Sequence, residues 1–399
     1  MRTGTPGFVP LRLTEARAAR HISTMTALAR LLGVSSSTVT RWEDGSSSPD
    51  ASALALLADV LNVRREFFLR PVQESARASF HRSLASTLKR DIDYQHAQMR
   101  WLQEISDIVQ HYVDFPALDI PDVLEGVTYK QLRDEDIEDI ALRLRRHWQL
   151  GEGPCADVVA LMERIGIVVG AIEMGTSKLD GLCSWDSEDR PHVLLATDKM
   201  SFPRRQMDAA HELAHVVLHR SVTPVELKSD LKFIETQAFR LASAFLLPST
   251  TYPYEVARPS LAAFEALKER WRVSIKAQIK RLSDLEMIDD DHKTDLYKLY
   301  SSKGWSREEP LDRRWQVPEP RMLRDSLDMI VTSHVRTRED LVSVEFTMSP
   351  GDVENLTGLP PGWFTNKPGE VIKLRDDARR PVTGSPQKAV IVEFPGRSK

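Results

Sequence analysis

His211-Glu212-Leu213-Ala214-His215 reads H-E-x-x-H inside an amphipathic run from Arg204 to Arg220. On a helix of ~3.6 residues per turn, positions four apart lie about 40° apart around the axis and about 6 Å along it, so both imidazoles reach one metal ion. Glu212, between them, is then placed to act on a metal-bound water. The flanks favour a buried helix. Pro203, Arg204 and Arg205 suit a first turn, and Ala209, Ala210, Leu213, Ala214, Val216, Val217 and Leu218 make the remainder apolar. A buried helix that displays two His and a Glu needs something to satisfy them, and zinc suits this spacing.

A hydrolytic zinc site takes three protein ligands and leaves one position for water, so a third ligand is expected. Glu235 follows, at the head of Ile234-Glu235-Thr236-Gln237-Ala238-Phe239-Arg240-Leu241-Ala242-Ser243-Ala244-Phe245-Leu246-Leu247-Pro248. Apolar residues at 234, 238, 241, 242 and 245 fit a second helix with one buried face, and antiparallel contact between the two helices brings 211, 215 and 235 together. The alternative makes Glu235 an ordinary first-turn glutamate favoured by the helix dipole. Asp208, Glu226 and Asp230 are weaker candidates, since none is followed by so well patterned a helix. His219 is a poor third ligand, because it lies two turns, ~12 Å, from His211 along a straight helix. The metzincin pattern would also need Gly at 218 and His at 221, where Leu218 and Ser221 stand. His219 is expected to support a ligand or to donate a hydrogen bond to the transition state. Before the motif, Ile165 to Val169 reads as a core strand, and His192 to Ala196 as a strand at a sheet edge on which an extended peptide would lie.

The H-E-x-x-H helix together with Glu235-x-x-Ala238-x-x-Leu241-Ala242, leading to Leu246-Leu247-Pro248, resembles the ImmA/IrrE family of zinc metallopeptidases. The preceding Pro191 to Ala196 with Phe202-Pro203-Arg204-Arg205, and the Leu218-His219 ending, fall in the family's order. The resemblance spans roughly residues 150 to 290, with one departure: Phe239 stands where members usually carry Asn. It implies a thermolysin-like fold with a small sheet, zinc held by His211, His215 and Glu235, Glu212 as the catalytic residue, and a narrow protein substrate such as a helix-turn-helix repressor of mobile-element or stress genes.

A different module occupies the first seventy residues. Leu13 to Ile22, Met25 to Leu32, Ser36 to Trp42 and Ala51 to Leu61 read as short helices with Gly33-Val34-Ser35 as a tight turn. Leu28-Ala29-x-x-Leu32-Gly33-Val34-Ser35-x-x-Thr38-Val39-x-Arg41-Trp42-Glu43-x-Gly45 resembles the XRE, or Cro/C1-type, helix-turn-helix. Ser35 would cap the recognition helix, Val39 and Trp42 would pack inward, and Ser36, Ser37, Thr40 and Arg41 would face the major groove of double-stranded DNA. Met25 stands where the family often has Gln. Residues 1–71 hold nine Arg, no Lys and six acidic residues, about +3 in a chain of net −4. Phosphate contacts dominate affinity, so so thinly basic a module predicts weak monomeric binding and a homodimer; the alternative is a protein-binding unit.

The remaining composition bounds the class. At 399 residues the length suggests two or three domains with ample core, and the helices and short strands read along the chain make the expected class α+β, predominantly helical. The organisation expected is a helix-turn-helix domain (1–71), a helical connector (72–127), a zincin domain (128–300) and a mixed C-terminal domain of unknown role (301–399). Cys155 and Cys183 alone argue against a disulfide framework. No apolar run approaches eighteen residues and the start lacks a signal peptide's apolar stretch, so a cytoplasmic protein without a membrane partner is expected. Arg77 to Val113 has helical periodicity, suited to spacing the modules, dimerising or packing on the peptidase. Asp134 to Trp148, Cys155 to Ile165, Leu261 to Trp271 and Ile275 to Leu285 read as further helices, and Val342 to Met348, Val371 to Leu374 and Ala389 to Phe394 as strands. The function expected is a DNA-binding zinc endopeptidase that controls gene expression. The alternatives are a regulator whose zincin fold is a non-catalytic sensor or scaffold, and a toxin–antitoxin or phage-defence component.

Overall fold

The computed structural model describes residues 4–72, 77–81, 88–174, 180–198 and 201–365. α1 (Pro10–Ala19) begins three residues before the expected Leu13 and ends before Ile22, because Pro10 suits its first turn, while polar caps set α2 (Met25–Leu32), α3 (Ser36–Glu43) and α4 (Ala51–Leu61) where the sequence placed them. The side chains of Thr24, Ser35 and Asp50 accept the N–H of Ala27, Thr38 and Ala53, relieving donors that a helix start leaves unmatched. Leu13, Leu28, Val39, Leu57, Leu61, Phe67 and Phe68 close this module's core.

The sheet comes next, and its order corrects one expectation. It holds β1 (Phe80–His81), β2 (Val168–Ile172), β3 (Gly181–Trp185) and β4 (Pro191–Ala196), in the order β1-β3-β4-β2. β4 runs parallel to β2, with Val169 opposite Val193, and antiparallel to β3, with Cys183 opposite Val193. His192 to Ala196 is therefore interior, paired on both sides, as befits a strand whose every residue is buried. The next strand on that side is β3, whose other edge is covered in part by the outermost strand β1, Phe80 opposite Cys183. β2 starts at Val168 instead of Ile165 because Gly166 turns the chain at φ +87, and a Cβ there would lie 2.8 Å from the carbonyl oxygens of Pro116 and Ala117.

Alternate residues along the strands face two cores. Val169, Cys183, Trp185, Val193 and Leu195 look onto α6 (Asp134–His147), α7 (Val158–Arg164), α8 (Phe202–Leu218) and α9 (Pro224–Leu246), backed by α10 (Tyr252–Glu255), α11 (Leu261–Trp271), α12 (Ile275–Asp284) and α13 (Asp290–Ser302). Val168, Ile172, Leu182, Leu194 and Ala196 look the other way, onto the core shared with the helix-turn-helix module. Between that module and the sheet lies α5 (Lys89–Gln110), which begins later than the periodicity from Arg77 suggests because Phe80 and His81 are strand. It buries Ala97, Met99, Trp101, Leu102, Ile105 and Val109, packing on α1 and on β4.

The same layer is completed by α14 (Met322–Thr332), α15 (Arg338–Asp340) and α16 (Pro350–Thr357). Val342 to Met348 is not a strand. Thr337 and Asp340 form a capping box, and a wide helical turn follows over Leu341–Glu345, closed by the Phe346 N–H on the Leu341 carbonyl at 2.8 Å. The alternation of Val342, Val344, Phe346 and Met348 imitates period two, yet only a lone bridge from Met348 to Val63 forms. Val371 to Leu374 and Ala389 to Phe394 lie outside the described residues. Both cysteines are buried thiols, and no helix among the described residues is long and apolar enough to cross a membrane.

Ion pairs tie the module to this layer. Arg20 meets Asp352 at 2.6 Å; Arg12, itself buried, bridges Glu15 at 3.1 Å and Glu104 at 2.8 Å and donates to the carbonyls of Arg70 and Pro71. Arg100 of α5 reaches Glu15 at 3.0 Å. Burial pushes the Glu15 carboxyl up, and Arg100 and Arg12 oppose it. Removing one partner of such a buried set strands the other charges. Arg12→Leu is therefore expected to destabilise the fold by about 3–5 kcal/mol, read from denaturant unfolding.

Candidate metal centre and nucleic-acid interface

α8 and α9 form a hairpin joined across His219 to Thr223. Pro203 sits in the first turn of α8, and Thr223 opens α9 with a capping box to Glu226 and Pro224 behind it. α9 thus starts eleven residues before Glu235, which is mid-helix, so the first-turn alternative for that residue does not hold. The buried stripe Ile234, Ala238, Leu241, Ala242 and Phe245 presses α9 against its neighbours and turns Glu235 towards α8.

Three predicted residues converge there. His211 Nε2 and His215 Nε2 lie 3.1 Å apart, and the two oxygens of Glu235 lie 3.3 Å from His211 Nε2 and 3.4 Å from His215 Nε2. Ligand atoms at the corners of a tetrahedron around a zinc bound at ~2.0–2.1 Å are ~3.3 Å apart, so the spacing fits that ion. Burial works to raise the Glu235 carboxyl, but the two imidazoles outweigh it and hold it well below the usual carboxylate range.

The proton arrangement sharpens the fit. Gln237 donates its amide Nε2 to the Tyr129 carbonyl at 2.7 Å, which turns its Oε1 towards His219 Nε2 at 3.2 Å. An amide oxygen only accepts, so His219 carries its proton on Nε2 and offers a lone pair on Nδ1. His215 Nδ1, 3.0 Å from that lone pair, must then be the donor, leaving His215 Nε2 with a lone pair aimed at His211 and Glu235. A lone pair among another imidazole and a carboxylate, all buried, is the donor set of a cation. Burial first, then the neighbouring His215, drives the His219 pKa well down, so its ring stays neutral and the relay keeps its direction.

His219 is therefore engaged on both nitrogens, with His215 and with Gln237. Glu212 is buried beside β3, where a Cβ on Gly181 would fall 2.4 Å from its Oε1, so only glycine leaves room for this carboxylate. Cys183, two residues along β3, has its thiol pushed up by burial and then by Glu212. The weaker candidates stand elsewhere: Glu226 and Asp230 meet Lys130 at 3.1 and 3.3 Å, and Asp208 lies 3.7 Å from Arg204. Phe239, at the position where the resemblance departs, lies against His211 with ring centroids 4.2 Å apart and planes tilted by 45°. Behind it opens a cavity of about 1080 Å³, lined by Arg204, Met207 and Asp208 of α8 and by Thr236, Phe239 and Arg240 of α9.

Gln237, Tyr129 and Gly181 were not singled out from sequence. Gln237 had a signal, since it is a polar residue at the i+3 step of the stripe Ile234, Ala238, Leu241.

On α3, Ser36, Ser37, Thr40 and Arg41 are all exposed, while Val39 and Trp42 are buried and Ser35 caps the helix through the Thr38 N–H. Arg17 of α1 grips Glu43 at the end of α3, at 2.6 and 3.0 Å, and fixes the tilt of that face. Thr40 hydroxyl donates to the Ser36 carbonyl at 3.0 Å and contacts the Met25 sulfur at 3.1 Å.

Known proteins agree with both halves. Residues 162–283 match the IrrE N-terminal-like domain, a peptidase family, and residues 13–68 match the helix-turn-helix family. The chain is thus a DNA-binding regulator with a metallopeptidase-like domain. It is a fusion of an XRE-type helix-turn-helix with an ImmA/IrrE-family domain. No curated protein matches it.

Because outer partners of ligating histidines typically contribute 10–100-fold to metal affinity, Gln237→Leu is expected to weaken zinc binding by about that factor. Competition with a fluorescent chelator measures it.

Proposed function

We propose that this protein is a zinc-dependent endopeptidase that carries its own DNA-binding domain and cuts a partner protein, such as a helix-turn-helix repressor, at a defined site. The observation that carries the proposal is the convergence of His215 Nε2 on His211 Nε2 at 3.1 Å and on Glu235 at 3.4 Å, with the outer face of His215 held by His219 and Gln237 and with Glu212 next to His211 on α8. His211, His215 and Glu235 hold the ion. When bound, zinc supplies Lewis acidity to the scissile carbonyl and a water acidified towards a pKa of ~7. Glu212 takes the proton of the attacking water and delivers it to the leaving amide nitrogen, a carboxylate's ordinary acid–base task. Its burial against Gly181 keeps that carboxylate from swinging out of reach. A scaffold has use for the ligands but none for Glu212, which favours turnover over a sensor that only binds metal.

Ser36, Ser37, Thr40 and Arg41 contact the major groove, and two copies on adjacent half-sites make up for the thin positive charge. Gene control follows from locating the cutter on DNA.

The test is cleavage of candidate repressors by the metal-loaded protein. Glu212→Gln is expected to keep its zinc and lose about 10²–10⁴-fold in kcat; a wild type that binds no zinc, or a variant that cuts equally fast, contradicts the proposal. Arg41→Ala is expected to weaken operator binding by roughly 1–3 kcal/mol, read as a shifted midpoint in a gel-retardation titration at fixed salt.

A further inference from the structure

The outer edge of β3 runs past the candidate site: Gly181, its first residue, abuts Glu212. A sheet edge is a template for an added strand, and extended peptides use such edges with main-chain bonds for affinity and side-chain pockets for selectivity. In this chain the edge is taken by Phe80 and His81, which run antiparallel to β3 opposite Cys183 and Leu182. They lie outside the residues that match the peptidase family, and follow directly on the chain leaving the helix-turn-helix module, whose carbonyls at Arg70 and Pro71 are held by Arg12.

The segment makes substrate-like contacts. The Phe80 ring stacks on the candidate ligand His215, with centroids 4.7 Å apart and planes at 20°, and lies 5.9 Å from both His219 and Trp185. Three residues earlier, Arg77 forms a forked pair with Asp189 in the turn between β3 and β4 and donates to the Arg220 carbonyl at 2.6 Å, just past the end of α8. Ser79 and Ser184 hydroxyls meet at 3.0 Å between these anchors. Arg77 and Asp189 are about a third exposed, at 32% and 35%, so water screens that pair, and Asp189 keeps a second partner in Arg220 when Arg77 leaves. Only two residues pair with the strand. A short, screened hold with one well-seated aromatic is suited to exchange for an incoming segment that offers the same groups.

We propose that Arg77–His81 is a substrate mimic built into the chain, covering the β3 edge until an extended segment with an aromatic residue over His215, and a basic residue three positions earlier against Asp189, displaces it. This rests on the peptidase proposal for its chemistry and adds to it a substrate class and a means of restraint.

A reversible lock tests it. Ser79→Cys with Ser184→Cys brings two thiols together where the hydroxyls now meet, and native Cys155 and Cys183 are buried, so oxidation pins the segment and reductant frees it. The probe is a fluorescein-labelled acetyl-Arg-Ala-Ser-Phe-His-amide, followed by polarisation. If the closed form dominates, affinity scales with the open fraction, so binding should fall about tenfold or more on oxidation, and Arg77→Ala should bind about tenfold more tightly than wild type. Replacing the probe's Phe by Ala should abolish binding. Equal affinity for the oxidised and reduced double variant overturns the proposal. Cleavage of a protein substrate, measured alongside, separates the two ideas: binding that follows the lock without cleavage in any form supports the mimic and sinks the peptidase function, whereas cleavage unaffected by the lock does the reverse.

Discussion

Two imidazoles and a carboxylate buried within 3.4 Å of one another form the constraint around which the metallopeptidase-like domain is arranged. Buried polar groups are costly unless matched, and here they are matched chiefly by one another. His219 and Gln237 fix the outer face of His215, so its inner nitrogen has no proton to give. The hairpin of α8 and α9 makes structural sense as a clamp for a cation. Tyr129, from the segment ahead of α6, closes the relay by accepting from Gln237, so a residue far from the motif in sequence sets the direction of the whole chain of hydrogen bonds.

The sheet connects this clamp with the DNA-binding module. Its alternate side chains serve two cores, one around the hairpin and one around α5, α1 and the C-terminal helices. α5 is therefore a layer of the structure as well as a link in the chain. Buried ion pairs from Arg12 to Glu15 and Glu104 make the contact between α1 and α5 specific as well as apolar. The helix fixed by Arg17 and Glu43 and the cluster of His211, His215 and Glu235 thus belong to one packed unit.

Much of this was legible in the residues. The H-E-x-x-H spacing, the apolar stripe after Ile234 and the caps at Thr24, Ser35 and Asp50 are local signals, and each produced its helix. What escaped was set by pairing and by distance along the chain. β3 has Gly181 and Ser184 among its five residues and acidic neighbours at Asp180 and Asp186, so its burial depends on β4 beside it and not on its own composition. His192 to Ala196 has the apolar run of a strand, but nothing local says whether such a strand is edge or interior. Val342 to Met348 carries a period-two pattern that a capping box upstream overrides. Gln237 and Phe80 act on the site only because the fold carries Tyr129 and β3 to them.

The most direct test of the metal clamp is the coordination shell itself. X-ray absorption at the zinc edge of the purified, zinc-equilibrated protein is predicted to show one ion per chain, with two imidazole nitrogens and oxygen donors at ~2.0–2.1 Å, and the second imidazole lost in His215→Ala. A protein that retains no zinc after equilibration, or a shell containing sulfur from Cys183, would contradict the arrangement of His211, His215 and Glu235 as the site's centre.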